Sequence, residues 1–163
     1  MIERHVRSYV DSQRSLVRAL EEYGPAIARD IQCHRELCEE GAGVCVIVDD
    51  EPMLLRITER YLDKAGWRVE AFSEYAQAEE YLKSHIPEVA VLDVQLEGDK
   101  TGVALSAAVN RCTRLYLISG VVSQAKLLDA LAQSCGAEGA LLKGKNTPLE
   151  LVNTIGTPRR VTC

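Results

Sequence analysis

The apolar runs of this chain are short, and four of them end on a polar side chain of a different kind. Val44-Cys45-Val46-Ile47-Val48 runs into Asp49-Asp50-Glu51-Pro52, and Val89-Ala90-Val91-Leu92 runs into Asp93. Leu115-Tyr116-Leu117-Ile118 ends on Ser119, and Ala140-Leu141-Leu142 ends on Lys143. Strand-like stretches therefore fall near 44–48, 67–72, 89–93, 114–118 and 139–142. Their apolar positions are continuous rather than alternating, the pattern of strands covered on both faces of a parallel sheet. Between them the period changes to that of a helix. Leu54, Ile57, Tyr61, Leu62 and Ala65 form one apolar stripe, with Pro52 in the first turn and Gly66 as a stop. Tyr75, Ala78 and Leu82 mark a second helix with Ser73 as its N-cap, and an Ala-rich third covers roughly 102–110. Leu127, Leu128, Leu131 and Cys135 mark a fourth between Ser123 and Gly136. The fifth, capped by Thr147 with Pro148 in its first turn, carries Val152 and Ile155. The fold class is thus α/β, and right-handed crossovers restrict it to a doubly wound, five-stranded parallel sheet.

Residues 1–42 follow another rule. Ile2, Val6, Tyr9, Gln13, Leu16, Leu20 and Tyr23 are spaced as a heptad seam with one polar interruption. Gly24-Pro25 disfavours continuing that helix, and a second stretch follows to about Glu40. The arm is either a helical hairpin or one kinked helix. It either packs on its own domain or forms a homodimer through residues 1–42. The expected organisation is the arm at 1–42, the α/β domain at 43–157 and a tail at 158–163.

Composition narrows the function classes. A chain of 163 residues with 47% hydrophobic and 26% charged positions suits one soluble domain with an appendage. The net charge of −5 argues against a surface that tracks nucleic-acid phosphates. No apolar stretch reaches the ~20 residues of a membrane helix, and the N-terminus lacks a signal-peptide pattern. The protein is read as cytoplasmic. Six cysteines occur without a CxxC pair, so they read as ordinary reduced thiols rather than a zinc site. His34, flanked by Cys33 and Cys38, lacks the companions of a phosphohistidine site, and His5 and His85 offer no constellation.

The chemistry lies in the strand ends. Ligands of open α/β sheets bind at the carboxyl edge, where this pattern gathers Asp49, Asp50, Asp93, Ser119 and Lys143. A carboxylate can attack phosphorus to give an acyl phosphate, and the protein's task in such a transfer is positioning and positive charge. Asp93 is the candidate nucleophile. Asp49, Asp50 and Asp93 would hold Mg²⁺, a hard cation that prefers oxygen ligands. Lys143 and Ser119 would bind phosphoryl oxygens.

These motifs resemble the response-regulator receiver domain of two-component signalling. Val46-Ile47-Val48-Asp49-Asp50-Glu51-Pro52, Val91-Leu92-Asp93, Ser119-Gly120 and Leu142-Lys143 stand in the family's order, over residues 43 to about 157. The resemblance implies a flavodoxin-like sheet of order 2-1-3-4-5. It implies phosphorylation of Asp93 by a histidine kinase or a histidine phosphotransfer protein. The backbone carbonyl of Gln95 would join the three carboxylates around Mg²⁺. Output would pass to a downstream protein by protein–protein contact, through the fourth and fifth helices or the arm. The chain would be a phosphoacceptor rather than an enzyme.

Several positions depart from the family pattern. Gly144 replaces the usual proline after the lysine, which predicts a looser loop, and Ala140 replaces the aromatic of the family's switch. The segment Leu96 to Gly102 is one residue longer than usual, and Val121 is apolar where some relatives orient water. A slowly hydrolysing phosphoaspartate is expected. Competing readings are weaker. A haloacid-dehalogenase-type phosphatase needs an acid where Gln95 stands, and Gly41-Ala42-Gly43 precedes the first strand rather than opening a helix as in a nucleotide-binding loop. A phosphorylation-insensitive receiver scaffold is the remaining alternative, but all five site side chains are present.

Overall fold

A computed structural model describes residues 36, 39–120, 125–144 and 147–159. The chain divides into two compact units, 1–36 and 37–163, and all the described residues except Glu36 belong to the second. The heptad seam, the dimerisation expectation, Cys33, His34, Cys38, Ser123 and Val121 lie outside the described residues.

The second unit is built on five parallel strands in the order β2-β1-β3-β4-β5. These are β1 (Val44–Val48), β2 (Arg68–Phe72), β3 (Val89–Asp93), β4 (Arg114–Ser119) and β5 (Gly139–Leu142). The helices are α1 (Pro52–Lys64), α2 (Tyr75–Ser84), α3 (Gly102–Leu105), α4 (Ala125–Ser134) and α5 (Thr147–Ile155). A short 3₁₀ turn, Ser106–Ala108, follows α3. All five residues of β1 and of β3 are buried, as a central parallel strand requires. Successive side chains feed two separate cores. Val46, Val48, Ala90 and Leu92 pack with α2 and α4 residues on one face. Cys45, Ile47, Val89 and Val91 pack with Leu62, Trp67, Leu151 and Ile155 on the other. The Cys45 thiol is pushed up to about 12 by burial, with Glu88 adding to the effect. No helix among the described residues is long and apolar enough to cross a membrane.

Three local expectations change. On α1 the buried face is Leu55, Thr58 and Leu62, whereas Ile57 and Tyr61 face solvent. Thr58 is tolerated inside because its hydroxyl donates to the Leu54 carbonyl at 2.8 Å, so a count of apolar letters misplaces the stripe. The N-cap of α2 is Glu74, not Ser73. The third helix ends early. Thr101 caps it by accepting from the Ala104 N–H, but Ser106 Oγ donates to the Val103 carbonyl at 2.6 Å, which favours tighter winding.

The amino edge of the sheet is closed by the chain's return after α5. Trp67 Nε1 donates to the Gly156 carbonyl at 2.9 Å, and Arg114 donates to the Ile155 carbonyl at 3.1 Å. The buried Glu88 carboxylate accepts from the backbone N–H groups of Gly43 and Arg159. The first residues of the expected tail are therefore tied down, and the opposite edge of the sheet carries the polar cluster.

Candidate functional site

The carboxyl edge brings the strand-end residues together. Asp49 follows β1, whose neighbours are β2 and β3, and Asp93 closes β3 in register with Ile118 of β4. Ser119, at the end of β4, is buried, and its carbonyl accepts from the Lys143 N–H at 2.7 Å. That bond fixes the Lys143 backbone beside the end of β4 while its side chain crosses to β1 and β3. Lys143 Nζ donates to Asp93 Oδ2 at 2.6 Å and to Asp49 Oδ1 at 3.1 Å. Asp49 and Asp93 are 1% and 2% exposed, so these are buried ion pairs rather than surface ones.

Backbone donors fix the carboxylates from below. The Glu51 N–H donates to Asp49 Oδ1 at 2.9 Å, and the Gln95 N–H donates to Asp93 Oδ1 at 3.1 Å. Gln95 itself is set by an antiparallel bridge to Thr101. The bonds of that bridge use the carbonyls of Val94 and Lys100, not that of Gln95. Gly102 closes the loop beneath the acceptor: a Cβ there would stand 2.1 Å from the carbonyl oxygen of Asp93. The loop can pass under Asp93 only because that atom is missing.

The electrostatics are divided. Burial pushes both Asp49 and Asp93 above the usual carboxylate range, and the hydrogen bonds from Lys143 only partly pull them back. Burial alone would lower Lys143, but its bonds to Asp93, Glu51 and Asp49 outweigh that and hold the ammonium above its ordinary value. The carboxylates still have unmet demand. Lys143 Nζ stands 3.0 Å from Asp49 Oδ2, yet that buried oxygen accepts no hydrogen bond among the described residues. Asp49, Asp50 and Asp93 each place a carboxylate oxygen within 4.8 Å of the others. An orphaned buried oxygen in a cluster of three carboxylates fits a hard divalent cation such as Mg²⁺.

The family model for the response regulator receiver domain matches residues 45–155. The chain belongs to the response-regulator receiver family. Among curated relatives, this receiver is 36% identical over 116 residues to the probable transcriptional regulatory protein NarL of Mycobacterium tuberculosis. That match covers 68% of this chain and 51% of the relative, so the chain spans about half the length of the curated relatives it matches. The fold of the receiver is similar to that of response regulator TrrA of Thermotoga maritima, solved in complex with Mg(2+)-BeF. The match has a TM-score of 0.59 and 16% identity, covering 69% of this chain and 95% of that one. It is also similar to a Burkholderia pseudomallei response regulator solved with a phosphorylated aspartic acid, calcium ion and citrate. There the TM-score is 0.55 at 20% identity, covering 67% of this chain and 64% of that one.

All of the site residues expected from sequence lie at this edge of the receiver. The departures read differently in three dimensions. Gly144 is bonded to Thr147 from both sides: its N–H donates to Thr147 Oγ1 at 2.5 Å, and its carbonyl accepts from the same hydroxyl at 2.8 Å. Thr147 is the first residue of α5 rather than the residue before it. Ala140 packs into the core opposite Leu117 with no aromatic in its place. The nearby aromatic, Tyr116, is held at the other end of the sheet by Arg114 and Glu138. Sequence reasoning missed Glu51, whose Oε1 lies 3.0 Å from Lys143 Nζ, and the packing role of Gly102. The acidic run 49–51 was the signal for Glu51, but three adjacent carboxylates do not reveal which of them face the lysine.

Proposed function

We propose that the chain is a phosphoacceptor in two-component signalling, taking a phosphoryl group on Asp93 from a histidine kinase or histidine phosphotransfer protein. The single observation that carries this reading is the 2.6 Å contact between Lys143 Nζ and Asp93 Oδ2 inside a cluster of converging carboxylates. A carboxylate oxygen of Asp93 forms the new bond to phosphorus as the bond to the donor breaks, and the donor leaves with that electron pair. Asp49, Asp50, Asp93 and the Gln95 carbonyl are the residues that would hold Mg²⁺, which when bound supplies positive charge to the phosphoryl oxygens. The Gln95 N–H orients Asp93, and Lys143 with the Ser119 hydroxyl receives the phosphoryl oxygens. No residue stands as a hydrolytic acid two positions beyond Asp93, so the chain acts as a carrier of the group rather than as an enzyme.

Input and output would use different faces. Met53, Ile57 and Tyr61 form an exposed apolar row along α1, which begins beside Asp49 and Asp50. It suits the helix of a phosphohistidine-bearing donor. Leu127 on α4 and Leu149 on α5 are exposed apolar groups available to a downstream protein. A phosphorylation-insensitive scaffold would have no use for a buried, cation-ready cluster. Intact-mass analysis after incubation with acetyl phosphate and Mg²⁺ tests the proposal. The wild type should gain one phosphoryl group, Asp93→Asn none, and the label should outlast seconds. Equal labelling of the two proteins would overturn it.

A further inference from the structure

The ammonium of Lys143 has three protons to donate, and all three are already matched to acceptors. They go to Asp93 Oδ2 at 2.6 Å, Glu51 Oε1 at 3.0 Å and Asp49 Oδ1 at 3.1 Å. A phosphoryl oxygen arriving on Asp93 therefore cannot gain a bond from Lys143 unless one existing partner lets go. The three partners differ in what holds them. Asp49 and Asp93 are buried and each accepts a backbone N–H as well, from Glu51 and Gln95. The Glu51 side chain is 64% exposed, and its carboxylate can be taken up by water when it leaves. It occupies the N-cap position of α1 but makes no capping bond, so its reach to Lys143 does not serve the helix.

We infer that Glu51 is a positioning residue that competes with the phosphoryl group for Lys143. This rests on the phosphoacceptor reading and adds a specific step to it. In the resting state Glu51 completes the donor set of the ammonium and holds negative charge at the mouth of the site. During transfer the ammonium exchanges this carboxylate for a phosphoryl oxygen, and Glu51 turns to solvent. The charge it leaves at the mouth also repels an anionic donor, so both effects slow phosphorylation of the resting protein.

The test compares full-length wild type, Glu51→Gln and Glu97→Gln, the last an exposed acid of the loop after β3 outside the ion-pair cluster. Labelling by acetyl phosphate is timed at low and high salt. Glu51→Gln should label about two- to fivefold faster at low salt, the scale of one exposed ion pair, and the gap should close as salt screens it. Glu97→Gln should label at the wild-type rate. NMR of the Lys143 ammonium in metal-free protein, assigned by its loss in Lys143→Met, should show faster exchange with water in Glu51→Gln. Glu51→Gln should melt at most a few degrees below wild type, since one exposed ion pair goes and no cap is lost. Equal labelling rates with an unchanged ammonium signal would overturn the inference, as would an equal acceleration in Glu97→Gln. A wild type that takes no label overturns the phosphoacceptor reading instead, and the ammonium signal then still decides whether Glu51 holds Lys143.

Discussion

Lys143→Met removes one charge and keeps most of the aliphatic stem, so its effect isolates the ion pairs. The stem runs past Gly120, where an added methyl would lie 3.8 Å from Lys143 Cδ, and methionine fills that space. What remains is two carboxylates, 1% and 2% exposed, facing each other without a counter-ion. Removing one partner of a buried pair costs about 3–5 kcal/mol. The lower half of that range applies, because burial already pushes both carboxyls up and proton uptake relieves part of the strain. Loss of the exposed Glu51 pair adds at most about 1 kcal/mol. For a domain of this size a loss of about 3 kcal/mol lowers the melting temperature by roughly 10–15 °C. The assay is thermal unfolding in EDTA and again with Mg²⁺. A cation at a hundredfold excess over its Kd returns about 2.7 kcal/mol, so Mg²⁺ should narrow the deficit of the variant more than it raises the wild type. A variant that melts within about 2 °C of wild type in EDTA would show that the carboxylates do not depend on this lysine, and the electrostatic argument would fail.

Two further outcomes follow from the same geometry. Asp49 and Asp93 titrate above their ordinary values, so their protonated forms are favoured by folding: stability is whole below the unfolded value of about pH 3.9 and is lost as pH rises through the raised native values. In EDTA, the denaturant midpoint of the wild type should therefore fall on going from about pH 4 toward neutrality, and Asp93→Asn should fall less; parallel curves would refute the assignment. Gly102→Ala should destabilise by about 1–3 kcal/mol or more and slow labelling of Asp93, because a Cβ 2.1 Å from the Asp93 carbonyl forces the backbone to move. Gly98→Ala, at φ +70° with nothing within 4 Å, should cost only about 1–2 kcal/mol of backbone strain and leave labelling intact; urea titrations and the same mass assay distinguish the two.

Much of this protein was legible in one dimension because its strands are buried on both faces. Continuous runs such as Val44–Val48 and Val89–Asp93 advertise a parallel sheet, and the residue that ends each run must emerge at its carboxyl edge. That is why Asp49, Asp93, Ser119 and Lys143 could be nominated from spacing and from the receiver resemblance. Helix faces were less legible. The α1 stripe turned by about one position, since Thr58 buries a hydroxyl that its own helix satisfies.

The positions of the strands along the chain and the identity of their polar ends follow from local patterning, which depends on neighbours a few residues away, whereas the order 2-1-3-4-5 of the sheet came from the receiver resemblance. The partition of the Lys143 ammonium among three carboxylates, the orphaned oxygen of Asp49 and the closeness of Gly102 to Asp93 depend on atoms brought together from up to 94 positions apart. Such contacts are set by how two packed layers and a sheet twist settle against one another, at a scale of tenths of an ångström. Hydrophobic period carries no information at that scale, so the chemistry of the site could be named from the chain while its balance of charges could be read only from the folded molecule.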